Sequence, residues 1–107
     1  MAKPTKRVRG STTGRPIMVA LDLLGKRWSL RILWELRQGP LSFRALQAAC
    51  DALSPSVLQQ RLADLREARL VAHDGESGYA LTPEAMKLQP ILVALDRWAA
   101  DWAAGAD

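Results

Sequence analysis

Residues 54–73 read SPSVLQQRLADLREARLVAH. Ser54 is a helix cap, because its hydroxyl can accept one of the N–H groups that a helix start leaves unpaired. Pro55 follows at the first helical position, where its missing N–H costs nothing. Leu58, Leu62 and Leu65 recur at three- and four-residue steps, with Val57 and Ala68 beside them, and form one apolar stripe. The opposite arc carries Ser56, Gln60, Ala63 and Glu67, flanked by Gln59 and Arg66. The stretch therefore predicts a helix over 54–68 with one side seated on a core and hydrogen-bonding groups on the other. Leu70-Val71-Ala72-His73 then reads as a strand. Asp74-Gly75-Glu76-Ser77-Gly78 is rich in turn formers, and Tyr79-Ala80-Leu81 returns as a second strand. A helix that runs straight into a short hairpin is the layout of a DNA-recognition helix followed by a wing.

Upstream, Pro16 opens a first helix in which Ile17, Ala20, Leu21 and Leu24 recur at helical spacing until Gly25, a plausible stop. A second helix is predicted from about Trp28 to Gln38. Its apolar residues Trp28, Leu30, Ile32, Leu33, Trp34 and Leu36 occupy more than one side, which marks it as central, and Gly39-Pro40 ends it. Leu41 can pair briefly as a strand. Ser42 caps a third helix whose inward residues are Phe43, Leu46, Ala49 and Cys50, and Asp51-Ala52-Leu53 turns the chain into the helix at 54. Two short helices joined by so tight a turn form a helix-turn-helix.

Downstream, Thr82-Pro83-Glu84 supplies a cap, a first-turn proline and a first-turn acid for the last helix. Leu88, Ile91/Leu92, Leu95, Trp98/Ala99 and Trp102 form a stripe with a repeat near 3.5, and Pro90 should kink the helix near residues 87–89. Two tryptophans near the end of a small domain are more apolar surface than it readily covers. The stripe reads as a seam between two chains, the alternative being that it packs back on its own domain.

A chain of 107 residues, 49% of them hydrophobic, suffices for one core and not for two. No apolar run reaches membrane-spanning length, and the N-terminus lacks the apolar centre of a signal peptide, so a cytoplasmic protein with no membrane contact is expected. The single cysteine, Cys50, excludes an intrachain disulfide and a multi-cysteine metal site. The charge of +4 is unevenly spread. Lys3, Lys6, Arg7, Arg9 and Arg15 stand in the first 15 residues without an acid, whereas nine of the eleven acids lie beyond residue 50. The cationic half suits a polyanion. Residues 1–14 lack apolar periodicity and are expected to be a disordered basic tail, with the folded domain over 15–104.

The stretches ALDLLGKRWSLRILWEL (20–36), GPLSFRAL (39–46), LSPSVLQQRLADLREARLV (53–71) and YALTPEAMKLQPILVALDRW (79–98) resemble, in order and spacing, the HxlR-type winged helix-turn-helix transcription regulators of bacteria. Each is weak singly; together they span most of the folded part. The resemblance implies a mainly α fold with a small β-wing. It also implies a homodimer held by the first and last helices and a roughly palindromic double-stranded DNA operator. The interface would then draw on Ile17, Leu21, Leu88, Leu92, Leu95, Trp98 and Trp102.

In that setting the outward residues of the fourth helix become candidates for base contact. Gln59 and Gln60 can pair with adenine, and Ser56 can bond a base or a phosphate. Arg61, at the edge of the apolar stripe, can reach a phosphate or guanine, or instead pair with Asp64. Ser42, Arg44 and Ser54 stand at helix starts, where N–H groups and a cation suit phosphate, and each serine is equally an ordinary cap. Lys26 and Arg27, in the turn before the second helix, can hold a phosphate or merely solvate the turn.

Two departures from the family pattern matter. The wing has no Lys or Arg between Val71 and Leu81 and carries Asp74 and Glu76, with His73 where the family often shows Arg, so it should add little affinity. The basic tail is then a substitute able to reach a groove. Many members of the family also carry a cysteine just before the first-helix proline, used by some as a switch; here Arg15 precedes Pro16. Cys50 is expected to be structural, as buried thiols usually are. No metal-ligand spacing, phosphate loop or carboxylate cluster points to an enzyme or a cofactor. The alternative to a DNA-binding regulator, a repressor by expectation, is a winged-helix module for protein–protein contact, which the acidic wing favours. A small-molecule effector could occupy an apolar pocket near Trp98 or Trp102.

Overall fold

The computed structural model describes residues 14–105. The expected tail thus falls, but for Gly14, outside the described residues. In chain order the elements are α1 (Pro16–Leu24), α2 (Ser29–Glu35), α3 (Phe43–Ala49), α4 (Pro55–Glu67), β1 (Val71–His73), β2 (Tyr79–Leu81), α5 (Pro83–Met86) and α6 (Gln89–Gly105). The fold is mainly α with a small antiparallel β-wing.

The caps legible in the sequence are formed. Ser42 Oγ accepts from the Ala45 amide at 3.0 Å, Ser54 Oγ from Val57 at 3.4 Å, and Thr82 Oγ1 from Ala85 at 3.2 Å. The core is built by Ile32, Leu33 and Leu36 around α2, Leu46 and Cys50 of α3, and Leu58, Leu62 and Leu65 of α4, with Val71, Leu81, Ala85 and Leu92 closing it. Every stripe leucine of α4 is thus spent on the core, which leaves the opposite arc to solvent.

Two boundaries differ from expectation. The second helix ends at Glu35 rather than Gln38, because the chain tightens into three-residue turns: Arg37 N–H bonds Trp34 O at 3.2 Å and Gly39 N–H bonds Leu36 O at 3.2 Å. The Arg37 guanidinium, stacked 3.9 Å over the Trp34 ring, donates to the Trp34 carbonyl at 2.9 Å and holds that turn. Gly25 ends α1 where expected, at φ −78°, without a left-handed turn. The last helix is broken rather than kinked: α5 stops at Met86 and α6 starts at Gln89, which places Pro90 in a first turn where no N–H is required.

The wing is anchored to the helix-turn-helix. Val71, Ala72 and His73 pair with Leu81, Ala80 and Tyr79, and Leu41 adds a one-residue bridge to Tyr79 on the other edge. Gly78, at φ +94°, makes that bridge possible, since a Cβ there would stand 2.4 Å from the Leu41 carbonyl oxygen. The His73 ring stacks on Tyr79 at 4.2 Å, and Tyr79 packs against Phe43 of α3 at 6.4 Å.

Candidate nucleic-acid interface

The turn between α3 and α4 runs through two consecutive left-handed residues, a conformation that aspartate tolerates better than alanine. Asp51 and Ala52 follow α3 at φ 61° and 58°, and the Ala52 and Asp51 amides close the helix end on the carbonyls of Gln47 (3.0 Å) and Ala48 (3.2 Å). Arg31 reinforces the turn from α2. Its guanidinium bonds Glu35 at 2.8 Å, the Ala49 carbonyl at 2.6 Å and Asp51 at 3.3 Å. The Glu35 hydrogen bond, opposed by partial burial and helped by Asp51, raises the Arg31 pKa further above its already basic value. Arg31 is therefore committed to structure and pins the end of α3 and the turn after it to α2.

On α4, Ser56, Gln59 and Gln60 are exposed on the arc opposite the buried leucines. Arg44 on α3 and the capping Ser42 and Ser54 are exposed as well. These six residues lie on successive elements of the helix-turn-helix. Arg61 takes the second of its two expected roles. Its Nη1 bonds Asp64 Oδ2 at 2.9 Å, and its Nε donates to the Arg27 carbonyl at 3.1 Å. Lys26 also turns to Asp64, at 3.4 Å. Arg27 lies over the Trp28 ring at 5.5 Å. Trp28 packs on the core and precedes α2 at φ 80°, which turns the 25–28 segment back toward α4.

Asp64, read from the sequence only as a possible partner of Arg61, is the centre of a cluster that the sequence did not reveal. Its side chain is only 14% exposed and gathers Lys26, Arg61 and Gln60, the last through Nε2 to Oδ1 at 3.1 Å. Burial alone would push its pKa up. The Gln60 hydrogen bond, with the charges and hydrogen bonds of Lys26 and Arg61, outweighs burial and holds the carboxyl below its ordinary value. The spacing to Gln60 and Arg61 was legible as helical i,i+4 and i,i+3 pairs. The contact with Lys26, 38 residues away, was not.

The wing loop is tied down by Asp74, whose Oδ1 accepts from the Ser77 amide at 2.7 Å and the Glu76 amide at 3.0 Å. These bonds, Ser77's first, depress the Asp74 pKa. The carboxylate is thus spent on turn structure and stays anionic beside exposed Glu76. Cys50 is wholly buried, and burial pushes its thiol pKa up although the Arg31 charge pulls the other way. Its surroundings are those of a core residue rather than a reactive thiol.

Among the residues expected at a chain–chain seam, Ile17 and Leu21 on α1 and Leu95, Trp98 and Trp102 on α6 are exposed, Trp98 at 58% and Trp102 at 65%. The two indoles stack at 5.5 Å with planes 11° apart. Ile91 is exposed with them, as are Met86 and Val93, which the heptad reading passed over. Leu92 departs from the expected seam: at 7% exposure it belongs to the core of its own chain, because its side of α6 faces α2. Leu88 is partly buried against the same core. An apolar groove of about 220 Å³ runs between α2 and α6, lined by Leu30, Arg31, Trp34, Leu92, Leu95, Asp96 and Ala99. Trp98 and Trp102 do not line it. No group of three or more potential metal ligands occurs among the described residues, and none of their helices is long and apolar enough to cross a membrane.

Comparison with known proteins agrees with this geometry. The profile of the HxlR-like helix-turn-helix family matches residues 23–107. The chain is 35% identical over 89 residues to the uncharacterized HTH-type transcriptional regulator YvaP of Bacillus subtilis, covering 78% of this chain and 82% of that protein. It is 30% identical to a second uncharacterized HTH-type regulator, sll1512 of Synechocystis, over 81% of this chain and 69% of the relative. Among solved structures, quinone-bound YodB from B. subtilis superposes with a TM-score of 0.73 at 31% identity, over 81% of this chain and 98% of YodB. A possible HxlR family transcriptional factor from Thermoplasma volcanium superposes with a TM-score of 0.73 at 26% identity, over 84% and 86% of the two chains. With its buttressed fourth helix, its hairpin wing and these relatives, the chain belongs to the HxlR-like helix-turn-helix family of winged-helix transcriptional regulators.

Proposed function

We propose that the chain acts as a homodimeric, sequence-specific repressor in the cytoplasm, bound to the nucleoid through a roughly palindromic operator. The observation that carries this reading is the α4 arc of exposed Ser56, Gln59 and Gln60, held outward by Leu58, Leu62 and Leu65 in the core. In a helix-turn-helix such an arc enters the major groove and meets base edges. Arg44, Ser42 and Ser54 then flank the groove and meet phosphate, with Arg27 at its margin. Lys26 and Arg61 stand beside them but are held by Asp64, so their part is to neutralise that carboxylate before they meet a phosphate. The exposed apolar residues of α1 and α6 support a second copy, with Ile17, Leu21, Ile91, Leu95, Trp98 and Trp102 at the seam. Two copies would present α4 to successive major grooves about 34 Å apart.

Selecting bound duplexes from genomic fragments tests this directly. The protein should enrich one operator with two half-sites and elute as a dimer. Gln60→Ala should relax base preference, while Arg44→Ala should weaken binding to all sequences alike and reduce the salt slope by about one. Wild-type protein that binds no duplex at low salt would instead support a protein–protein module, the reading that the acidic wing favours. An effector, if one acts, fits the α2–α6 groove, since the groove adjoins the proposed seam. YodB is known in a quinone-bound form, which makes small planar molecules the first to screen.

A further inference from the structure

Gln60 and Asp64 lie one helical turn apart on α4, and their contact has a direction. Gln60 Nε2 donates to Asp64 Oδ1 at 3.1 Å. The other carboxylate oxygen, Oδ2, is taken by Arg61 at 2.9 Å and Lys26 at 3.4 Å. A carboxylate flanked by two cations is ionised, and an ionised carboxylate only accepts hydrogen bonds. A glutamine amide beside it must turn its nitrogen inward, because the reverse orientation sets Oε1 against Oδ1. An unrestrained glutamine on a helix surface rotates its amide by half a turn at little cost and can offer a donor or an acceptor. Gln60 lacks that freedom. Its Oε1, without a protein partner among the described residues, is the atom left to accept, with one remaining Nε2 hydrogen beside it.

We propose that Asp64 is a positioning residue for base readout, fixing the Gln60 amide so that the helix favours an amino-bearing base, adenine or cytosine, over a keto-bearing one. This rests on the reading of α4 as a major-groove helix. Adenine presents N6–H as donor and N7 as acceptor, which matches the fixed Oε1 and the remaining Nε2 hydrogen; cytosine presents N4–H to Oε1 alone. Guanine offers O6 and N7, and thymine offers O4, all acceptors. The free Nε2 hydrogen can bond one of them, but Oε1 then faces a second acceptor or stays unmet. A keto base thus makes fewer bonds than adenine and leaves the fixed acceptor unsatisfied where cytosine would fill it. Since each base pair carries one amino and one keto base, what Gln60 reads is which strand bears the amino partner. Lys26 and Arg61 keep Asp64 charged and in place, which ties the turn between α1 and α2 to a single base contact.

The test is selection from a randomised duplex pool with wild type, Gln60→Ala, Asp64→Asn and Asp64→Ala, each checked by thermal unfolding. The half-site position whose preference disappears in Gln60→Ala is the one that Gln60 reads. Wild type should favour adenine or cytosine there by about tenfold. Asp64→Asn should reduce that ratio to about twofold while other positions keep theirs, because an amide in place of the carboxylate lets Gln60 take either orientation. Asp64→Ala should do the same, and it decides the matter if Asp64→Asn does not fold. A keto preference at that position, an unchanged ratio in a folded Asp64 variant, or no position lost in Gln60→Ala overturns the inference and leaves DNA binding intact. A wild-type protein that enriches no sequence overturns the DNA-binding reading itself, and this inference with it.

Discussion

Arg69 closes α4 at φ 63°, a conformation that residues with a Cβ seldom adopt. It is held there by two hydrogen bonds, Leu70 N–H to Leu65 O and Arg69 N–H to Arg66 O, both 2.9 Å. This paired closure ordinarily carries glycine at the position of Arg69. The left-handed conformation costs a side chain with a Cβ roughly 1–2 kcal/mol. Glycine removes that strain but gives up roughly 0.5–1 kcal/mol more backbone entropy on folding. Arg69→Gly should therefore stabilise the domain by about 0.5–1 kcal/mol. In a domain of this size that is a rise in Tm of about 2–6 °C. Thermal unfolding followed by far-ultraviolet circular dichroism measures it. Arg69→Ala is the control: it removes the same guanidinium yet keeps the Cβ, so it should bring no comparable gain. A melting temperature for Arg69→Gly at or below wild type, or an equal rise in Arg69→Ala, would refute the argument from backbone strain. The position bears on function because the Arg69 carbonyl accepts the Thr82 hydroxyl at 2.7 Å and so joins the end of α4 to the strand leaving the wing.

Gly78→Ala should destabilise the fold by about 2 kcal/mol or more, since it adds strain at positive φ to a clash with Leu41 and undoes the bridge that seats the wing; chemical denaturation reads this, and a neutral result would show that the wing is loosely held. Ser29 is wholly buried and its hydroxyl has no partner among the described residues, so Ser29→Ala should raise stability by about 1 kcal/mol, with a loss pointing to a hydrogen bond made in solution. Asp64, its folded pKa depressed, contributes stability that is complete well above the ordinary aspartate value of 3.8 and is lost as pH falls below it toward the folded value. Stability of Asp64→Asn should accordingly converge on wild type in that acidic window, whereas a constant difference down to pH 2 would sink the assignment.

Much of the architecture was legible because it depends on local spacing. The leucine stripe 58–62–65, the caps Ser42, Ser54 and Thr82, and the turn at residues 74–78 each act over a few residues, and the chain's own chemistry writes them. So did the outward arc of α4, since burying one side of a helix exposes the other. Tertiary structure decided what depends on partners far along the chain. It placed Leu92 in the core rather than at the seam, because that side of α6 packs toward α2. It brought Lys26 from the α1–α2 turn to Asp64 and turned Arg61 and Gln60 to the same carboxylate. Periodicity says which side of a helix a residue occupies. Which oxygen its side chain meets depends on packing between elements, and that packing sets how freely the exposed face of α4 can rearrange when it meets DNA.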